Sequence, residues 1–192
     1  MTIGTGIRSL FSRDSEEVKS WPSVVILLRR AQHYSIEDLS TMADAAWGMN
    51  EAQGGVSPKV VETRKNGAVF QLAPQIYVSI FQEDQRYSFG ITTASASSDS
   101  PLSRMWAEHT AWCAVDVPNR YNVPTNERRE CYKLLFHFVN KAWGTDVCGL
   151  YLPAEERQFP CAMPSQIPNL GDLIASFKWS ATNQSQNQAR VQ

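Results

Sequence analysis

Only three of the 192 residues are histidine, and the four cysteines, Cys113, Cys131, Cys148 and Cys161, form no Cys-x-x-Cys pair and neighbour no histidine at zinc-ligand spacing. That pattern excludes the familiar structural zinc sites, and no metal or other cofactor is expected. The sulfurs read as buried free thiols in a reducing compartment. An excess of charge of either sign is also missing: Lys and Arg total 18 against 19 Asp and Glu, and the chain up to Ala96 holds nine basic and ten acidic residues against nine and nine beyond it. Duplex binding draws much of its affinity from clustered cations, whereas the basic pairs here are confined to Arg29-Arg30, Arg64-Lys65 and Arg128-Arg129, so nucleic acid is not expected as a partner. Long apolar runs are absent as well. The longest strongly apolar stretch, VVILL, is far short of the roughly 20 residues that span a bilayer, and the opening MTIGTGIRSLFSRDSEEVKS has no run of signal-peptide length. These absences predict a cytoplasmic protein with no membrane partner.

Catalytic signatures are missing in the same way. Gly4-Thr5-Gly6 lacks the preceding strand and the further glycine of a dinucleotide fingerprint, and there is no phosphate-loop, His-Glu-x-x-His or Gly-x-Ser-x-Gly pattern. Adjacent carboxylates occur at Glu16-Glu17, Glu37-Asp38, Glu83-Asp84 and Glu155-Glu156, but neighbours on a helix or strand point apart, so none forms an acid/base couple.

What is present is a repeated local grammar. SVVILLRR (23–30) is apolar on both faces, as a covered central strand requires. Ser35 and Asp38 then compose a capping box, and Ile36, Leu39, Met42, Ala43, Ala46 and Trp47 recur on one helical stripe ended by Gly48. Three β-like stretches follow, Val60–Arg64, Ala68–Leu72 and Ile76–Phe81, the first two joined through Asn66-Gly67, a strong hairpin signal. The polar, small-residue segment 91–104 reads as a mobile surface loop. HTAWCAVDVP (109–118) reads as a strand, Pro124-Thr125 as a helix entry, and Cys131, Leu134, Leu135, Phe138, Val139 and Ala142 as a second stripe before Trp143 and Gly144; Val147–Leu152 returns as a strand.

Ala-Trp-Gly thus closes both helices, and steric need accounts for it: a tryptophan pins the last turn and a glycine lets the chain reverse. The expected architecture is a single α+β domain over 21–178, an antiparallel or mixed sheet with two main helices on one face, built from pseudo-repeats at about 22–81 and 108–153. Strand order stays open between a ferredoxin-like interleaving and two side-by-side units. Residues 1–20 read as a flexible leader and 179–192 as a disordered tail. The segment 153–168, with four of the ten prolines, reads as irregular or as wrapping the surface.

Among the histidines, His137 falls with Glu130, Lys133 and Lys141 on the polar helix face, and His33 follows the first strand at a position where ligands gather in open sheets. His109 is the strongest candidate, crowded with Trp106, Glu108, Trp112 and Cys113. Four residues of strand span roughly 13 Å, so His109 and Cys113 cannot be a dyad. A pocket formed by His109, Glu108, Trp106 and His33 defines a small-ligand or hydrolase-like alternative.

The strand SVVILLRR, the helix ending DAAWG, Leu72-Ala73-Pro74, WAEHTAWCAVDVP and WGTDVCGLYLP together resemble, over residues 22–153, the uncharacterised bacterial proteins grouped as domain of unknown function 4261. The resemblance implies no established activity or catalytic residue. The expectation favoured by balanced charge and missing motifs is a non-catalytic protein-binding domain, of immunity or adaptor type, acting on another protein or on itself as a homodimer. Its binding surface is expected on the sheet face opposite the helices, where Tyr77, Phe81, Trp112 and Tyr87 gather, with Trp106 nearby, or on the 91–104 loop.

Overall fold

The computed structural model describes residues 21–48, 57–88, 99–118, 125–142 and 144–161. The leader, the tail, residues 91–98 and Trp143 lie outside these, as does most of the domain's expected C-terminal part. Seven strands, β1 (Ser23–Leu28), β2 (Lys59–Arg64), β3 (Gly67–Ala73), β4 (Ile76–Glu83), β5 (Ala111–Asp116), β6 (Val147–Leu152) and β7 (Arg157–Pro160), form one antiparallel sheet in the order β2-β3-β4-β5-β1-β6-β7. Three α-helices, α1 (Ile36–Gly48), α2 (Pro101–Glu108) and α3 (Thr125–Ala142), complete an α+β domain.

The uninterrupted apolar character of β1 is explained by its place between β5 and β6, where every one of its residues is buried. Its two sides face different cores. Val24, Ile26 and Leu28 point to a cluster built with Leu39, Ala43 and Trp47 of α1 and Leu135, Phe138 and Val139 of α3. Val25 and Leu27 point the other way, towards Met105, Trp112, Tyr87 and Tyr151. Helices α1 and α3 pack on each other and share the first face, as their apolar stripes predict. Each fully buried side chain there, such as Phe70 or Leu135, contributes roughly 1.5–3 kcal/mol by leaving water.

Local chemistry sets the element ends. The Asp38 amide donates to Ser35 Oγ at 3.1 Å and the Ser35 amide donates to Asp38 Oδ2 at 2.9 Å, a reciprocal box that satisfies two donors at the start of α1. These bonds also hold the Asp38 carboxyl below its ordinary pKa. Lys65-Asn66 makes the two-residue turn between β2 and β3, and Gln75, at φ 65°, takes the left-handed position in the turn between β3 and β4.

Strand order resolves one open alternative. Because β1 lies between β5 and β6, the β5–α3–β6 connection brackets β1 in the split βαβ manner, which two side-by-side units would not give. The Ala-Trp-Gly repeat remains a pattern of sequence: Trp47 is buried against the first core, and Trp143 is outside the described residues.

Two expectations are corrected. The loop expected over 91–104 gives way from Ser100 onward: Ser100 Oγ accepts from the Ser103 amide at 3.0 Å, Pro101 takes the first turn, α2 runs on to Glu108, and the following strand begins at Ala111 rather than at His109. The segment 153–168 is ordered in its described part, where Pro153–Glu155 form a 3-10 turn and Arg157–Pro160 pair with β6.

Candidate functional site

Helix α2 decides the fate of the expected site, because it lies across the second face of the sheet. Leu102, Met105 and Trp106 form its inner stripe and pack with Tyr87 over β5, β1 and β6. Trp112 and Tyr87, expected on an open face, are instead buried, with their rings edge-on and centroids 5.3 Å apart. Tyr87 also meets Tyr151 edge-on at 5.8 Å, and Trp106 meets both Tyr151 and His109. Tyr77 and Phe81 are half-buried, Phe81 against this cluster, and the Tyr77 hydroxyl meets Gln71 Nε2 at 3.4 Å. The expected binding face is therefore core at its centre and only partly open on β4.

His109 stands at the C-terminal cap of α2, its amide donating to Met105 O at 3.2 Å. The Tyr87 amide donates to its Nε2 at 3.1 Å, so that nitrogen is unprotonated; Nδ1, 2.9 Å from Trp106 O, carries the hydrogen and donates it. Both ring nitrogens are engaged and the residue is 3% exposed. Burial lowers its pKa, against the opposing pull of the Trp106 carbonyl. The imidazole joins the end of α2 to the segment after β4, and no ring nitrogen is left for proton transfer.

The unfolded chain binds a proton near pH 6.5 while the folded chain resists until lower pH, so stability is whole above the unfolded value and declines as pH falls towards the folded one. His137, half-buried on α3 rather than fully solvated as expected, shifts in the same direction by burial and adds to the effect. Thermal melts across pH 5–7.5 should show this slope, flattened in His109→Leu, which should also cost about 2 kcal/mol at neutral pH by stranding the Tyr87 amide and Trp106 carbonyl. An unchanged slope in His109→Leu would assign the titration elsewhere.

The other candidates disperse. His33 is exposed and lies 3.2 Å from Asp84. The Glu108 carboxylate accepts from Arg29 Nε at 2.9 Å, and Arg29 Nη1 donates to Val147 O at 3.1 Å, tying α2 to the end of β1 and the start of β6. Trp106 Nε1 donates to Gln158 Oε1 at 2.7 Å on β7. Cys113 faces the helix-side core, where burial first and Asp116 second push its thiol up to about 12. Thus Glu108, Trp106 and His109 share one short helix, each with its own structural partner.

Two features were not legible beforehand. A cavity of 170 Å³ lies under α2, lined by Arg29, Arg104, Met105, Glu108, Cys148 and Cys161 among others. It is smaller than the roughly 300–1,000 Å³ of small-molecule sites. The second is the edge strand β2, where Val60 and Val61 are 40% and 39% exposed. A register shift between Val60 and Glu62 breaks the pairing to β3, so two adjacent valines are both accessible. Among the described residues no group of three or more His, Cys, Asp or Glu is placed to hold a metal. No described helix is long and apolar enough to cross a membrane. No family model, curated protein or solved structure matches the chain.

Proposed function

We propose that the protein is a non-catalytic protein-binding domain of immunity or adaptor type whose docking element is β2. The observation that carries this reading is the exposed outer edge of β2, at which, among the described residues, no other strand pairs. An edge strand offers unpaired amides and carbonyls that an extended segment of a partner completes, while side chains on the two faces set specificity. Val60 and Val61 supply apolar contact, and Lys59, Glu62 and Arg64 supply charge of both signs. The occupant that fits is an extended strand of another protein, with apolar residues opposite the valines; the charged residues and the break in register disfavour indiscriminate self-pairing. Cytoplasmic location, absence of nucleic-acid and membrane partners, and the bacterial family resemblance belong to the same proposal. The engaged nitrogens of His109 and the small size of the cavity weigh against the pocket alternative.

The test is capture of a partner with the tagged full chain, its identification, and reconstitution with purified components. The double variant Val60→Lys/Val61→Lys should weaken binding at least about tenfold, about 1.4 kcal/mol, while leaving the melting temperature within a few degrees, since both positions are exposed. A complex indifferent to this variant but lost on Arg104→Ala would transfer the role to the cavity.

A further inference from the structure

Cys148 and Cys161 are brought together by features that no spacing rule reveals. Leu27 of β1 pairs with Gly149 while Leu28 pairs with Val147, so Cys148 is the extra residue of a bulge in β6. The bulge turns its side chain out of the alternation that sends Leu150 and Leu152 to the helix-side core and onto the opposite face beneath α2. On the neighbouring strand, the register of Gly149 with Pro160 continues one step to Cys161, whose amide donates to Cys148 O at 3.0 Å. The two cysteines therefore occupy a hydrogen-bonded antiparallel pair, and both residues line the same cavity.

We propose that Cys148 and Cys161 form a reversible cross-strand dithiol–disulfide site, oxidised by a small peroxide that enters the cavity under α2. A hydrogen-bonded pair sets the Cα atoms about 5.5 Å apart, inside the range a disulfide spans. The Cβ atoms of such pairs are roughly 4.5–5.5 Å apart, wider than the disulfide mean, so closure draws β7 inward and leaves a bond that thiols readily reduce. Strand β7 is four residues long and, among the described residues, pairs only with β6, so a small shift towards β6 breaks no other ladder; the Trp106–Gln158 bond to α2 must follow it. In the reduced protein each thiol is directed at backbone carbonyls: Cys148 Sγ lies 3.3 Å from Leu27 O and 3.7 Å from Met105 O, and Cys161 Sγ lies 3.6 Å from Phe159 O. Closure exchanges these weak S–H contacts for the covalent link.

The chemistry closes on itself. One thiol loses its proton and the thiolate attacks a peroxide oxygen, cleaving the O–O bond to give a sulfenic acid and, with that proton, water. The second thiol loses its proton and its thiolate attacks the sulfenic sulfur, forming the S–S bond and expelling hydroxide, which takes up that proton as a second water. Peroxide is reduced by two electrons and the two thiols are oxidised by two, with no other reactant. Arg29, facing Cys148, favours its thiolate, but burial dominates and holds that thiol up to about 11; burial also raises Cys161. Oxidation is accordingly slow at neutral pH and accelerates with alkalinity.

The test uses the full chain, reduced and then exposed to hydrogen peroxide, with free thiols alkylated under denaturing conditions and the digest read by mass spectrometry. The expected product is a linked Cys148–Cys161 peptide, reversed by dithiothreitol, absent in Cys161→Ser, and formed about tenfold faster per pH unit between pH 7 and 9. Cys148 and Cys161 both remaining alkylatable, a link to Cys113 or Cys131, stable sulfinate without a link, or a rate independent of pH would overturn the proposal. The site stands apart from the β2 binding role, and neither result bears on the other.

Discussion

Replacing Trp112 by alanine is expected to cost about 3–5 kcal/mol of folding stability, the range for truncating a buried tryptophan. The residue is 3% exposed, stacked edge-on against Tyr87 and closed over by α2, so its removal leaves a void that the sheet beneath cannot fill. For a chain of this size the melting temperature should fall by roughly 10 °C. The same substitution discriminates between two descriptions of the second face. A docking aromatic on an open sheet would lose binding while keeping stability; a core aromatic loses stability first. Denaturant titration of Trp112→Ala alongside Tyr77→Ala, which is only half-buried, separates them, and a change below about 1 kcal/mol for Trp112 would show that α2 does not cover the sheet.

Gly149→Val should be comparably severe, for a steric reason. A Cβ at this position would lie 2.1 Å from Met105 Sδ, 2.7 Å from Met105 Cγ and 2.8 Å from the backbone oxygen of Phe159. The methionine can rotate; the carbonyl belongs to β7 and moves only with the strand. We expect a loss of about 3 kcal/mol, partly relieved when Met105→Ala is combined with it, because two of the three closest atoms are then gone. Strict additivity in the double variant would mean that α2 does not sit on Gly149.

The elements that could be read from sequence are those whose cause is local. The Ser35 and Asp38 box, the Lys65-Asn66 turn and the stripes of α1 and α3 each follow from residues within a few positions of one another. Helix α2 was missed although its start is written as Ser100-Pro101. The small-residue run before it suggests a loop, and HTAWCAVDVP reads as a strand from His109 although the strand begins only at Ala111. That single error exposed Trp112 and placed His109 on a strand; as a helix cap, the histidine finds a carbonyl at Trp106 and an amide at Tyr87. Cys148 and Cys161 were not legible as a pair because their meeting depends on a bulge and on the order of β6 and β7, both consequences of distant contacts. The exposure of Val60 and Val61 likewise depends on β2 falling at the sheet edge, a property of topology and not of the six residues themselves.

The most direct test of the binding role is amide hydrogen exchange of the full chain, alone and saturated with its reconstituted partner. Strand addition predicts that the β2 amides not bonded to β3 exchange quickly in the free protein and become protected in the complex, with residues 59–64 showing the largest change. Unchanged exchange along β2, with protection appearing instead on α2 and around Arg29 and Arg104, would contradict the account and place the function in the cavity.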